Sequence, residues 1–261
     1  MTRRSPVPFW SSFAESFFAV ATISANENNF RHNLSDGADA CGRRPVIGVV
    51  GGVGSGKSSV LRAVERLHLQ IIDADRIGHE ELRKSLIRDR LVQEFGTQIL
   101  DEGGEIHRTT LAGLVFGISP TSQLNRERLN TIVRPGIRAE IRRQIQQASQ
   151  DVDAIILDAA LLLEAGWASE CDALIFIETP LVLRQERVAT HRGWSAEDLA
   201  RREASQWDLG RKRNACGYLV DNSGTLQDAG RQLTEHLQSI LRNADSRMGL
   251  VPVRNDTSSM S

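Results

Sequence analysis

Gly51–Ser58 have the residue types and the spacing of a phosphate-binding loop. They read Gly-Gly-Val-Gly-Ser-Gly-Lys-Ser and fit the pattern G-x-x-x-x-G-K-[ST]. Glycines without a Cβ let consecutive backbone N–H groups turn inward around phosphate oxygens. In this pattern Lys57 reaches the terminal phosphates and the Ser58 hydroxyl binds Mg²⁺. The residues predicted to bind the nucleotide here are Gly52, Val53, Gly54, Ser55, Gly56, Lys57 and Ser58.

Carboxylates at the ends of two apolar runs are candidates for the remaining chemistry. Asp73 and Asp75 follow Ile71-Ile72, and because they are two residues apart they can face the same side of an extended segment. One of them could then hold the metal or its waters while the other accepts a proton from an attacking hydroxyl. The alternative is a turn at the end of a strand in which an aspartate caps the next helix.

Asp158 ends another apolar run and resembles the acid of a Walker B segment, which helps to order Mg²⁺. Alanines follow it, at positions 159 and 160, where many motor ATPases have a water-activating glutamate. This difference favours phosphoryl transfer to a substrate over hydrolysis.

The elements that must position these groups follow from hydrophobic patterning. Continuous apolar runs indicate strands buried on both faces, and helical patterns between them predict an α/β fold with a five-stranded parallel sheet flanked by helices. The predicted strands are Val46–Val50, Gln70–Ile72, Ala154–Leu157, Ala173–Ile177 and Tyr218–Val220. We expect one domain over 45–245, with its core in 45–76, 151–180 and 214–245, a helical substrate-binding insertion at about 77–150 and a helical lid at about 181–213.

Composition limits the class of protein. The 261-residue chain has a formal net charge of −1, which argues against a protein built to bind nucleic acid or an anionic membrane. The three scattered cysteines favour a reducing compartment, and we expect a cytoplasmic location. Residues 1–44 are predicted to be a disordered extension and 246–261 a flexible tail.

Taken in order, the motifs of this chain resemble those of the dephospho-CoA kinase family, P-loop enzymes that phosphorylate the ribose 3′-hydroxyl of dephospho-CoA with ATP. The resemblance extends over about Val46–Leu241. Its motifs are the loop Gly51–Ser58, the segment Ile72–Asp75 with His79 and Glu80, Gly104–Arg108 with Leu114–Phe116, Leu157–Glu164, and Gln206 with Asp221–Gly224.

The resemblance implies roles at the matching positions. Asp75 would be the base toward the 3′-hydroxyl, and Asp73 would support Mg²⁺ or the substrate. Asn222 and Gly224 would lie near the adenine of ATP. Arg108 and the segment Leu162, Leu163 and Glu164 would lie on the CoA-binding side. The chain departs from the family pattern at His107, usually Asp, at Arg134, often His, at Ala160, usually Pro, and at Gly217, where Asp is expected.

The arginine-rich stretch Leu181–Arg213 is the predicted lid. In such kinases a mobile lid brings arginine over the transferring phosphoryl group and excludes water. Arg187 and Arg192 are the candidates for this contact, with His191 as an alternative to Arg192. The stretch also fits a solvated helix whose arginines pair with neighbouring acidic residues.

Two other functions remain open from the residues alone. A kinase for another nucleoside or small hydroxyl compound would share the loop, Asp75 and the lid. A P-loop switch or motor NTPase would share only the loop, and its guanine-reading N-K-x-D segment is missing from the sequence. The residues do not separate ATP from GTP; the resemblance implies ATP. They also leave the oligomeric state open.

Overall fold

The computed structural model describes residues 43–115 and 119–247. Phe116 of the family motif therefore lies outside the described residues. So do nearly all residues of the predicted extension, 1–44, and of the predicted tail, 246–261. Five strands form one parallel sheet in the order β2-β3-β1-β4-β5. The strands are β1 Val46–Gly51, β2 Leu69–Asp73, β3 Ala154–Asp158, β4 Ala173–Glu178 and β5 Tyr218–Asp221. The predicted five-stranded parallel sheet is confirmed.

Nine α-helices flank this sheet within the described ranges. They are α1 Lys57–Arg62, α2 Ala74–Glu81, α3 Ser85–Phe95, α4 Arg108–Val115, α5 Pro120–Gln146, α6 Leu181–Arg192, α7 Ala196–Glu203, α8 Leu209–Asn214 and α9 Leu226–Arg247. Short 3₁₀ helices occur at Thr97–Ile99 and Trp167–Glu170. No helix of the described chain has the length and apolar character needed to cross a membrane.

Apolar side chains cover both faces of the sheet, which explains the unbroken apolar runs. In β1, Ile47 and Val49 belong to a core shared with α1 and α9, whereas Val46 and Val50 belong to the larger core on the other face. Successive side chains of a strand point to opposite faces. A strand covered on both faces must therefore be apolar at every position.

The predicted insertion contains α3, α4 and the long helix α5. Helix α2 packs against α5 at Gly136, where a Cβ would lie only 1.8 Å from Oε1 of the buried Glu81. Glycine at this position, directly after Pro135, makes room for that carboxylate. The close approach fixes α2, and with it the residues at the start of α2, against the insertion.

Candidate active site

The phosphate-binding loop connects β1 to α1 at the carboxyl end of the sheet, as the sequence predicts. Gly54 and Gly56 have φ values of +74° and +82°, in the left-handed region that favours glycine. A Cβ on Gly54 would lie 2.7 Å from Cγ1 of Val188, and a Cβ on Gly56 would lie 3.1 Å from both Arg187 and Asn222. The loop therefore needs glycine both for its dihedral angles and for its close neighbours.

One backbone carbonyl holds the loop in place. The oxygen of Ser55 accepts hydrogen bonds from Oγ1 of Thr179 at 2.9 Å, Nδ2 of Asn222 at 2.8 Å and Nη1 of Arg187 at 3.2 Å. These donors follow β4, follow β5 and lie in the lid helix α6. Asn222 is buried, and its side chain holds the loop through this hydrogen bond. Gly224 lies in the exposed turn after it, with open space around its Cα.

The lid arginines occupy distinct places. Arg187 contacts the loop, but the guanidinium of Arg192 lies 4.6 Å from the ring centroid of Trp194. Arg184, which the sequence did not single out, is buried and donates from Nε to the Thr179 carbonyl at 3.1 Å. It also forms an ion pair with Glu203 of α7. The predicted phosphate contacts of Arg187 and Arg192 stay predictions; Arg187 donates to the Ser55 carbonyl of the loop, and Arg184 donates to the Val53 carbonyl at 3.4 Å.

The two neighbouring aspartates do not share an extended segment, so that expectation was wrong. Strand β2 ends at Asp73, whose Oδ1 accepts the backbone N–H of Arg76 at 2.9 Å and caps α2. Asp75 instead lies in the first turn of α2. The capping alternative therefore holds for Asp73, because its carboxylate satisfies an N–H group at the start of the helix. Asp73 is also the register neighbour of Asp158 across β2 and β3.

Asp75 has a buried carboxylate, and only one of its two oxygens accepts a hydrogen bond. Its Oδ2 accepts the backbone N–H of Ala160 at 3.2 Å, and its Oδ1 is buried without a hydrogen-bond partner. Burial raises the pKa of Asp75 from 3.8 to about 7; the Ala160 N–H and Lys57 oppose this rise, and the charges of Asp73 and Asp158 add to it. A base with a pKa near neutral suits proton transfer at physiological pH.

A magnesium ion fits the donors at this edge of the sheet. The described residues hold no group of three or more His, Cys, Asp or Glu side chains that could bind a metal. Mg²⁺ needs only one or two carboxylates, since nucleotide phosphates and water complete its shell. Asp158 offers a carboxylate beside Lys57, and burial raises its pKa while Lys57 lowers it. The hydrogen bond by which Asp73 caps α2 uses only Oδ1, which leaves Oδ2 as a second possible donor to the metal.

The residues expected on the acceptor side fall into two groups. Arg108 begins α4 close to His79; burial lowers the pKa of both, and the charge of Arg108 lowers that of His79 further. Leu162 and Leu163 are buried in the larger core. Glu164 is buried as well and pairs with Lys212 of α8 at 3.0 Å. The structure thus brings Arg108 close to His79, whereas the Leu162–Glu164 side chains pack inside the protein.

A glycine-rich loop between a central parallel strand and a helix, with a buried carboxylate nearby, is the arrangement expected of a P-loop nucleotide-binding protein. A family model described as dephospho-CoA kinase matches residues 45–228. The chain belongs to the dephospho-CoA kinase family, and it is a kinase.

Similar proteins agree with this family. A dephospho-CoA kinase of Rhodopirellula baltica is 34% identical over 200 residues, covering 76% of this chain and 92% of the relative. One of Carboxydothermus hydrogenoformans is 35% identical over 199 residues, covering 74% and 93%. The crystal structure of TT1252 from Thermus thermophilus aligns with a TM-score of 0.64 at 27% identity, covering 76% of this chain and 98% of that one.

Sequence reasoning missed the roles of Thr179, Arg184 and Lys212. Thr179 donates to the Ser55 carbonyl and Arg184 to the Val53 carbonyl, more than 120 positions away along the chain, so no local spacing marks them. Lys212 gave a weak signal, because the chain has only three lysines, Lys57, Lys84 and Lys212, and arginine supplies the other basic side chains.

Proposed function

We propose that this protein transfers the γ-phosphoryl group of ATP to the ribose 3′-hydroxyl of dephospho-CoA, which gives CoA, the product of the last step of CoA biosynthesis. Membership of the family supports this substrate pair. The observation that carries the proposed mechanism is Asp75, a buried carboxylate with one unpartnered oxygen beside the phosphate-binding loop.

Asp75 is the proposed general base. The 3′-hydroxyl oxygen attacks the γ-phosphorus, and the bond from that phosphorus to the oxygen bridging it to the β-phosphate breaks, which leaves ADP. The hydroxyl proton passes to Oδ1 of Asp75, the oxygen without a protein partner. Oδ2 stays on the Ala160 N–H, so the carboxylate keeps its orientation during the transfer.

The loop and the lid position the phosphates. The backbone N–H groups of residues 52–58 and the start of α1 surround them, and Lys57 spans the terminal phosphates. We assign Arg187 to the charge of the transferring group, because it already reaches the loop. Most catalysis of phosphoryl transfer comes from such positioning and charge neutralisation. Arg108 belongs to the acceptor side in this proposal.

Ser58, Asp73 and Asp158 would hold Mg²⁺. The ion supplies positive charge that neutralises phosphate oxygens when it is bound. The proposal also includes a cytoplasmic location and a small-molecule acceptor, with neither nucleic acid nor membrane as partner. The nearly neutral net charge of −1 agrees with these two points.

A product assay tests the proposed function. Purified protein with Mg-ATP is offered dephospho-CoA, adenosine or another nucleoside in parallel, and the products are identified by mass spectrometry. We expect dephospho-CoA to gain one phosphoryl group with a kcat/KM at least about a hundredfold above that of the nucleosides. Preferred phosphorylation of another acceptor would assign a different kinase substrate. ATP hydrolysis without any phosphorylated acceptor would contradict the proposal.

A further inference from the structure

A buried ion pair joins the lid to the segment that follows β3. The Nζ atom of Lys212 lies 3.0 Å from Oε1 of Glu164, and each side chain is 1% exposed. The same Oε1 accepts the backbone N–H of Trp207 at 2.9 Å, and Lys212 also donates to Oε1 of Gln206 at 2.7 Å. One carboxylate therefore holds both α8 and the segment that leads into it.

Stability alone does not explain this pair. Taking two charges out of water costs about as much as their attraction returns, and well-packed apolar side chains are often at least as stable. The neighbouring residues Leu161, Leu163 and Leu209 belong to the larger apolar core. Burial lowers the pKa of Lys212, and Oε2 of Glu164 is buried without a hydrogen-bond partner. Unlike apolar packing, the ion pair and its hydrogen bonds fix how α8 is oriented relative to Glu164.

The segment Asp158–Glu164 connects the pair to the reacting groups. It starts at Asp158, and its Ala160 N–H holds the Asp75 carboxylate at 3.2 Å. The pair also lies within electrostatic reach of the loop, because the charge of Lys57 lowers the pKa of Lys212. The position of α8 is thereby tied to the base on one side and to the phosphate site on the other.

We propose that Lys212 and Glu164 are positioning residues for phosphoryl transfer, whose ion pair sets the place of the closed lid relative to Asp75 and the phosphate-binding loop. Neither side chain touches the reacting atoms. The inference rests on the proposed function. A misplacement of about 1 Å can lower a rate about a hundredfold. A misplaced lid also admits water, so ATP is hydrolysed without phosphorylation of the acceptor.

The first test compares three variants of the full chain. Lys212→Met removes the ion pair, and Lys212→Arg keeps the charge. Arg142→Met is the matched control, because Arg142 donates to Glu170 at 2.9 and 3.0 Å and ties α5, not the lid, to the same connection between β3 and β4. The readouts are kcat, the KM of each substrate, and the ratio of ADP formed to CoA formed, measured where circular dichroism shows folded protein.

We expect Lys212→Met to lower kcat at least about tenfold, to leave the KM of ATP within about twofold, and to raise the ratio of ADP to CoA. Lys212→Arg restores most of kcat, and Arg142→Met changes neither kcat nor the ratio. A folded Lys212→Met with wild-type kcat and ratio would overturn the inference. So would a loss of kcat that merely equals the loss of folded protein.

Glu164→Gln decides the case if Lys212→Met does not fold. Glutamine has the same shape and keeps an oxygen acceptor for the Trp207 N–H and for Nζ of Lys212, and circular dichroism again establishes that the variant is folded. A lower kcat with a higher ratio of ADP to CoA supports the positioning role. A higher KM for dephospho-CoA at unchanged kcat would show that Glu164 contacts the acceptor instead and would overturn it. Wild-type protein inactive on dephospho-CoA would refute the proposed function itself, a different result from an active wild type with unaffected variants.

Discussion

The Ser55 carbonyl on the nucleotide side and the Asp75 carboxylate on the acceptor side differ in how fully their hydrogen bonding is satisfied. On the nucleotide side, the Ser55 carbonyl accepts three hydrogen bonds from Thr179, Asn222 and Arg187. On the acceptor side, Asp75 receives one hydrogen bond from Ala160, and its second oxygen is buried without a partner. The Ser55 carbonyl is thus satisfied by three donors, although Oγ of Ser55 and Oδ1 of Asn222 are buried without a hydrogen-bond partner, whereas the reacting carboxylate receives a single hydrogen bond.

This difference separates binding from chemistry. A buried polar atom without a partner costs free energy. At Asp75 that cost appears as a pKa raised by burial to about 7. Changes on the loop side should therefore weaken nucleotide binding, and changes at Asp75 should slow transfer with binding intact.

Asp75→Asn gives the largest expected effect. The amide cannot accept the proton, so kcat should fall about 10²- to 10⁴-fold, while the dissociation constant of ATP stays within about threefold. Rapid-quench kinetics and calorimetric titration with ATP measure the two quantities. Near-normal turnover in this variant would show that Asp75 is not the base.

Gly54→Ala tests the opposite side. Its Cβ would meet Val188 at 2.7 Å and the Arg184 carbonyl at 3.0 Å, at a φ of +74°. We expect ATP affinity to fall at least about tenfold, because the loop must deform. The control is Gly113→Ala in α4, where a Cβ meets nothing within 4 Å. Equal ATP affinity in both variants would contradict the role given to the loop.

The same Asp75→Asn variant should be more heat-stable than wild type at alkaline pH. The folded pKa of about 7 lies above the usual 3.8, so the folded state disfavours the charged form. The resulting loss of stability is absent below about pH 4, grows up to about pH 7 and is complete above it. Thermal melting should therefore show a higher Tm for the variant at about pH 8 and nearly equal values at about pH 4. A lower Tm at alkaline pH would argue against a buried, strained carboxylate.

Ala160→Pro tests the hydrogen bond to Asp75 at a position where the family usually has proline. Proline has no N–H and cannot donate to Asp75, and this hydrogen bond lowers the pKa of that carboxyl. The acid limb of kcat/KM should move to higher pH by up to about one unit. Ala160→Gly keeps the N–H and should leave the limb in place. An unmoved limb in the proline variant would show that the Ala160 contact does not tune the base.

Thr179→Val should have the smallest effect. It removes one of three donors to the Ser55 carbonyl, and the remaining two keep that oxygen satisfied. We expect a loss of about 1 kcal/mol in unfolding free energy and a few-fold weaker ATP binding. Thr179→Ser should recover both in denaturant titration and in ATP titration. A loss of ATP affinity as large as that of Gly54→Ala would mean that the hydrogen bond from Thr179 alone determines the conformation of the loop.

The sequence was sufficient to predict the five strands and the phosphate-binding loop, because both depend on local patterns. Apolar runs placed β1 through β5 to within one residue at each end, and the loop pattern fixes its own backbone. The position of Asp75 was not predictable from spacing alone, since Asp73 ends the strand by capping α2. The hydrogen bonds to the Ser55 carbonyl and the ion pair of Glu164 with Lys212 were also missed. Each of these contacts joins residues that lie 48 to 167 positions apart in the sequence.

The pH dependence of a single turnover shows whether Asp75 is the base. Wild-type protein with saturating Mg-ATP and dephospho-CoA is followed by rapid quench from about pH 5 to about pH 9. If Asp75 is the base, the rate rises about tenfold per pH unit at the acid end and levels off above about pH 7, and this acid limb is absent from the residual rate of Asp75→Asn. A wild-type rate that is flat over this range, or an identical acid limb in the variant, would contradict this role of Asp75.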